Sequence, residues 1–167
     1  PVDPALLRSG RNEIVLTCDY DENHPGLEIV YLLGNFGVRV NGTNITMAGM
    51  PDALKIGDWV RQGLPFYSGS VLYRRTIRPK PRTGERLFVQ VPNYRGAAVR
   101  VLVNGSEAGV IAWEPNEVDI TDFVSGGSVD LVIEVLGHRR NSHGPLHLSE
   151  KWPRWTGSGQ YVTSGKE

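Results

Sequence analysis

AVRVLVNGSEAGVIAWEPNEVDITDFVSGGSVDLVIEV, residues Ala98–Val135, decides how this chain folds. It opens with alternation: Val99, Val101 and Val103 fall on one side of an extended chain, Arg100 and Leu102 on the other. A period of two places every second side chain on the same face of a sheet, so the valines predict a buried face. Asn104-Gly105 follows, and both central positions of a type I′ turn need positive φ, which Asn and Gly tolerate best. The returning strand carries Val110 and Ile111 and closes at Trp113. A polar corner, Glu114–Glu117, leads into Val118-Asp119-Ile120-Thr121, a one-turn segment, a Gly126-Gly127 break and the apolar strand Val129–Val135. The reading is an antiparallel sheet that turns a corner and returns.

Outward from this stretch, Gly (20) and Pro (11) punctuate short β-type runs, a spacing that marks an all-β sandwich or barrel. The predicted strands are Glu13–Tyr20, Leu27–Leu33, Gly37–Val40, Asn44–Met47, Gly69–Ile77, Arg86–Val91, Ala97–Val103, Glu107–Ala112 and Val129–Leu136. Between Met47 and Ser68 runs a long connection, which in a compact domain should be packed rather than free. Trp59, Phe66 and Tyr67 are its expected anchors, and Asp58–Gln62 a helical turn. Helix is otherwise confined to Pro4–Arg8 and Ile120–Val124. The segments after Val2-Asp3 and Val118-Asp119 share one device: an aspartate opening a short turn that ends in glycine and feeds a strand.

The chain of 167 residues suits one domain, read here as residues 1–167 with a core at about 71–136 and a loop and tail at 137–167. Lys and Arg (18) balance Asp and Glu (18), so no global field favours nucleic acid or an anionic membrane. The cluster Arg74-Arg75…Arg78…Lys80…Arg82 reads as a solvated strand edge. No apolar run approaches the ~18 residues of a membrane span. An opening on Pro1-Val2-Asp3 without Met leads us to expect a fragment excised from a longer protein. Cys18 has no partner for an internal disulfide, and its strand-like surroundings predict a buried structural thiol. Asn41, Asn44 and Asn104 begin Asn-x-Ser/Thr sequons, relevant only in a glycosylating, secreting host.

Tyr73-Arg74-Arg75, Val101-Leu102-Val103-Asn104-Gly105, Gly109, Val118-Asp119-Ile120-Thr121 and Leu131-Val132-Ile133 stand in an order that resembles one known module. It is the sugar-binding domain of family 2 glycoside hydrolases, a jelly-roll β-sandwich of the galactose-binding-like fold. Gly63–Gly69 is similar to the lead-in of related modules in large bacterial polysaccharide-degrading proteins, and Asn141-Ser142-His143-Gly144-Pro145 to their loop after the last strand. The resemblance implies a non-catalytic accessory module whose partner is a catalytic domain of the same parent chain. It implies a periplasmic or extracellular parent, and it carries over no catalytic residue. Whether such a module binds sugar or only buttresses a catalytic barrel stays open at this point.

Catalytic and metal motifs are absent from the sequence: no nucleophile elbow, phosphate loop or His-Glu-x-x-His occurs. Glycosidases need two carboxylates about 5–10 Å apart across a cleft; Glu114, Glu117, Asp119 and Asp122 crowd one corner, as turn residues do. His138, His143 and His147 have a spacing that zinc or copper would accept, but they sit among loop formers. No cofactor or metal is therefore expected; a structural calcium suits jelly-roll loops, but no residue set specifies one.

Carbohydrate recognition asks for an aromatic face under the apolar side of a pyranose, flanked by polar side chains. Two groups answer. One is Trp113 with Glu114, Asn116 and Glu117, near which Asn141 and His143 are expected to fall; the other is Trp152 and Trp155 in the tail. Packing at the sandwich rim is the competing role for Trp113, and docking onto a domain surface for the tail tryptophans.

Overall fold

Described residues of the computed structural model are 2–27, 30–42 and 44–144. Among them the chain is all-β, with no α-helix, short 3-10 turns and three antiparallel sheets. Two compact units divide it, 1–34 and 35–167.

Among the described residues, the second unit holds every strand. β1 (Gly37–Asn41) and β2 (Asn44–Ala48) form a hairpin. β3 (Val71–Ile77), β5 (Ala98–Val103), β6 (Ser106–Ile111) and β8 (Val129–Leu136) form a four-stranded sheet in the order β3-β8-β5-β6. β4 (Phe88–Gln90) pairs with β7 (Glu117–Asp119).

The valine alternation does what its period dictates. Val99, Val101 and Val103 are at most 1% exposed, while Arg100 and Leu102 on the opposite face keep partial contact with water. With Ile111, Val129, Val89 of β4 and Val118 and Ile120 around β7 they make one core. The core therefore lies between the four-stranded sheet and the β4–β7 pair, two layers burying one apolar face each. The layers approach closely at Gly109, where a Cβ would lie 3.0 Å from a Val118 methyl.

The β5–β6 turn is the one expected, with Asn104 at φ 51° and Gly105 at φ 83°. Asn104 also extends the neighbouring ladder: its N–H donates to the Asp130 carbonyl (2.8 Å) and its Oδ1 accepts from the Asp130 N–H (2.9 Å). Beyond the turn the register slips. Leu102 faces Glu107 but Val101 faces Gly109, so Ala108 is an extra residue in a β-bulge.

On the outer face of the sheet, Arg100 of β5 donates to Glu134 of β8 through Nε (2.8 Å) and through a second, shorter contact from its terminal nitrogen. Glu134 is buried, and the pair satisfies it.

The long connection is packed, as its length requires. Trp59 is buried and its Nε1–H donates to the Tyr73 hydroxyl of β3 (2.7 Å). Tyr67 meets Trp59 edge-on at 6.3 Å and donates to the Ser70 carbonyl (2.8 Å). Val60–Gln62 is a 3-10 turn, and the Gly63 carbonyl accepts from the Val38 N–H (2.8 Å), tying the β1–β2 hairpin to it.

Two predicted strands fail in the first unit, and a predicted buried thiol with them. Glu13–Tyr20 is not a strand, and residues 27 and 30–33 of the second predicted run are not either. Ile14, Val15, Leu16 and Leu33 are exposed. β-branched composition favours a pleated, half-buried surface, but it forms no strand without a neighbouring chain to take its hydrogen bonds. Cys18 is consequently an exposed free thiol instead of a buried one. Asp3 nonetheless opens its turn as Asp119 does. Its Oδ1 accepts from the Ala5 N–H (2.9 Å) before the 3-10 turn Pro4–Leu6.

Candidate functional site

Register places one group of loops together. Val135 lies opposite both Val71 and Val99, and Val99 lies opposite Ile111. The start of β3, the end of β8, the start of β5 and the end of β6 therefore share one end of the sheet. Gln90 at the end of β4 pairs with Glu117 at the start of β7. Segments 66–70, 91–97, 112–116 and 137–144 emerge at this end. The Asn104-Gly105 turn and Asp119 lie at the other.

Trp113 stands directly after β6 and is 80% exposed, so rim packing is not its role. The corner beside it is held by main-chain and side-chain bonds. The Asn116 carbonyl accepts from the Val91 N–H (2.9 Å), and the Glu117 carboxylate accepts from Gln90 Nε2 (2.8 Å). Asn116 Nδ2 donates to Glu114 Oε1 (2.7 Å). Polar groups that already hold one another keep fewer rotamers, which lowers the entropy lost when a ligand uses their remaining lone pairs and protons. Tyr94, which sequence reading passed over, fixes the same corner by donating to the Ile111 carbonyl (3.3 Å). Its place in a Pro92–Gly96 turn between two strands was the available signal.

Asn141 and His143 lie in the 3-10 turn Arg139–His143 that follows β8. They share the loop end with Trp113, and β5 lies between their strand and that of Trp113, a lateral separation of roughly 10 Å at two strand spacings. Asn141 acts as a loop brace: its N–H donates to the His138 carbonyl (3.2 Å) and its carbonyl accepts from the Gly144 N–H (2.9 Å). His143 is exposed. Trp152, Trp155 and His147 lie outside the described residues.

The two outlying motifs meet each other here. At Gly137 a Cβ would sit 2.2 Å from the Gly69 carbonyl oxygen, and at Gly144 one would sit 2.3 Å from the Phe66 ring. Lead-in and post-strand loop are thus one packed unit, although many residues separate them in sequence.

Asp119, crowded with carboxylates in the sequence, is a turn residue. Its Oδ1 accepts from the Thr121 N–H (2.8 Å) and hydroxyl, and its Oδ2 faces Arg86. The Thr121 hydroxyl in turn accepts from the Leu87 N–H (2.9 Å). The Thr121 bonds first, and Arg86 after them, hold the Asp119 carboxyl below its ordinary value of 3.8. Among the described residues no cluster of three or more His, Cys, Asp or Glu is placed to hold a metal. No helix among them is long and apolar enough to cross a membrane.

No protein-family model matches this chain, and no curated protein does. Among solved structures, a rhamnosidase from Novosphingobium sp. PP1Y is similar over 68% of this chain and 11% of that chain, at 25% identity and a TM-score of 0.43. An FMN-binding beta-glucuronidase from Facaelibacterium prausnitzii L2-6 is similar over 60% of this chain and 16% of that chain, at 24% identity and a TM-score of 0.39. The chain spans a small part of either protein's length.

Proposed function

We propose that this chain is a non-catalytic accessory carbohydrate-binding module of a multidomain glycoside hydrolase, a jelly-roll β-sandwich of the galactose-binding-like type. The observation that carries the reading is Trp113. A large indole at the loop end of a sheet, 80% exposed, leaves an apolar surface in water that a sugar face would cover. Glu114, Asn116 and Glu117 supply the acceptors and donors beside it. Asn141 and His143 extend the polar surface across the same end, and Trp152 and Trp155 are the further stacking candidates. The motif resemblance through Ala98–Val135 supports the same reading. Recognition is by stacking and hydrogen bonds, with no covalent step, no nucleic-acid or membrane partner and no cofactor; a structural calcium is compatible. The catalytic domain belongs to the same parent chain, which acts in the periplasm or outside the cell.

Calorimetric titration with a panel of oligosaccharides and plant polysaccharides tests this. Binding heat is expected with at least one, and Trp113→Ala should weaken it at least about tenfold, or ~1.4 kcal/mol. An exposed position costs little fold stability, so the variant's melting curve should match the parent's within about 0.5 kcal/mol. Binding that survives Trp113→Ala would remove the site. Absence of heat with every sugar would favour a second role, a structural domain buttressing the catalytic barrel. The exposed Ile14, Val15, Leu16 and Leu33 favour that role, because apolar surface of this kind gains from being covered by a neighbour.

A further inference from the structure

A cleft of about 900 Å³ runs between β1 and the Val60–Gln62 turn, remote in sequence from the Trp113 corner. Its wall is a strand edge. Main-chain groups along a strand alternate in direction, so Val38 and Val40 share one edge of β1 while Gly37, Arg39 and Asn41 share the edge that faces β2. Val38 and Val40 then point their main-chain groups away from β2. The Val38 N–H confirms this direction by donating outward to the Gly63 carbonyl. The carbonyl of Val38 and both main-chain groups of Val40 are left without a partner among the described residues. These groups recur every second residue, a repeat of roughly 6.6 Å that another strand matches.

Side chains set the sign of what fits. Arg39 and Arg61 line the cleft with a single carboxylate, Asp58. That carboxylate already accepts from the Val60 N–H (3.1 Å) and lies 3.9 Å from Arg61. Arg39 is exposed and has no partner among the described residues. The cleft has no aromatic ring in its lining, so it offers no platform for stacking a sugar.

We infer that this cleft takes an extended, acidic stretch of polypeptide, which adds to β1 as a third strand. Main-chain bonds to Val38 and Val40 supply the pairing and Arg39 with Arg61 the preference for glutamate or aspartate, the division of labour found in strand addition to sheet edges. Burying the edge also removes an exposed pairing template. The site stands independently of the sugar-binding reading.

The probe is the peptide Ac-Glu-Val-Glu-Val-Glu-Val-NH2, titrated into the ¹⁵N-labelled chain while amide shifts and hydrogen exchange are followed. Saturable movement and slowed exchange of the Val40 amide are expected. The Lys-Val counterpart should bind at least about tenfold more weakly, and Arg39→Glu should reverse that order. A Glu-Val peptide N-methylated at every residue should fail to bind, because its main chain cannot donate. An unmoved Val40 amide, equal binding of the lysine peptide, or undiminished binding of the N-methylated one would each overturn the inference. So would an acidic oligosaccharide that displaces the peptide from Val40 and binds there more tightly. Trp113→Ala should leave the whole titration unchanged, which separates this site from the other.

Discussion

Val101→Ala and Val110→Ala delete the same two methyl groups from adjacent strands, one facing the core and one facing water. Val101 is 0% exposed and Val110 is 51% exposed. At ~0.8 kcal/mol per buried methylene equivalent, the Val101 deletion loses about 1.6 kcal/mol of transfer free energy. The cavity left among packed neighbours adds about 1 kcal/mol, giving about 2.5 in all. Val110 is half covered and water can fill the vacated space, so its cost is about 0.8 kcal/mol, including lost β-preference. Urea denaturation reads both: the midpoint should fall about three times further for Val101→Ala, with the slope m unchanged in either variant. For a chain of this size the melting temperatures should drop by about 5–10 °C and about 2–3 °C. Equal costs, or a larger cost at Val110, would refute the assignment of faces. A one-residue register slip along β6 would bring Val110 to the core face in place of Ile111.

Three further outcomes follow from the contacts described. Trp59→Phe keeps an aromatic ring but removes both the donor to the Tyr73 hydroxyl and part of a buried ring system, and should cost about 2–4 kcal/mol in denaturant-derived stability, the lost bond and the cavity together. Asn104→Ala loses the bond to the Asp130 N–H and places a β-carbon residue at φ 51° without a compensating side-chain bond; about 1–3 kcal/mol should be lost, read in the same way. The Asp119 carboxyl is held below 3.8 in the folded state, so the unfolded state binds its proton first as pH falls. Its contribution is complete above that value and is lost as pH drops through the folded-state value. In Asp119→Asn, chemical denaturation across the acid range should therefore show a shallower decline between neutral pH and pH about 3 than the parent.

What sequence could supply divides along local and non-local lines. The Ala98–Val135 hairpin was legible because its determinants are neighbours: alternation fixes the face and Asn104-Gly105 fixes the turn. The Asp119 turn was legible for the same reason, its acceptor lying two residues from its donor. Glu13–Tyr20 misled because β-type composition states a preference, while a strand needs a second chain beside it. Cys18 was misplaced with it. At the candidate site, Trp113 and its polar corner could be read as a local cluster. The joining of Phe66 to Gly144 and of Gly69 to Gly137 could not, since it depends on β3 and β8 pairing first. The cleft beside β1 was invisible for a related reason: its donors and acceptors are main-chain groups, which every sequence possesses.

The bulge at Ala108 acts as a parity switch for β6. Counting back from Val103↔Ser106 without an extra residue would set Val101 against Ala108 and Val99 against Val110. Val110 would then enter the core, and Ile111, now 2% exposed, would face water. One additional residue inverts the odd–even order for the remainder of the strand. Deleting Ala108 alone would therefore close the bulge and leave Ile111 opposite Val99, whereas flattening the bulge with that residue retained would turn the rest of β6 inside out.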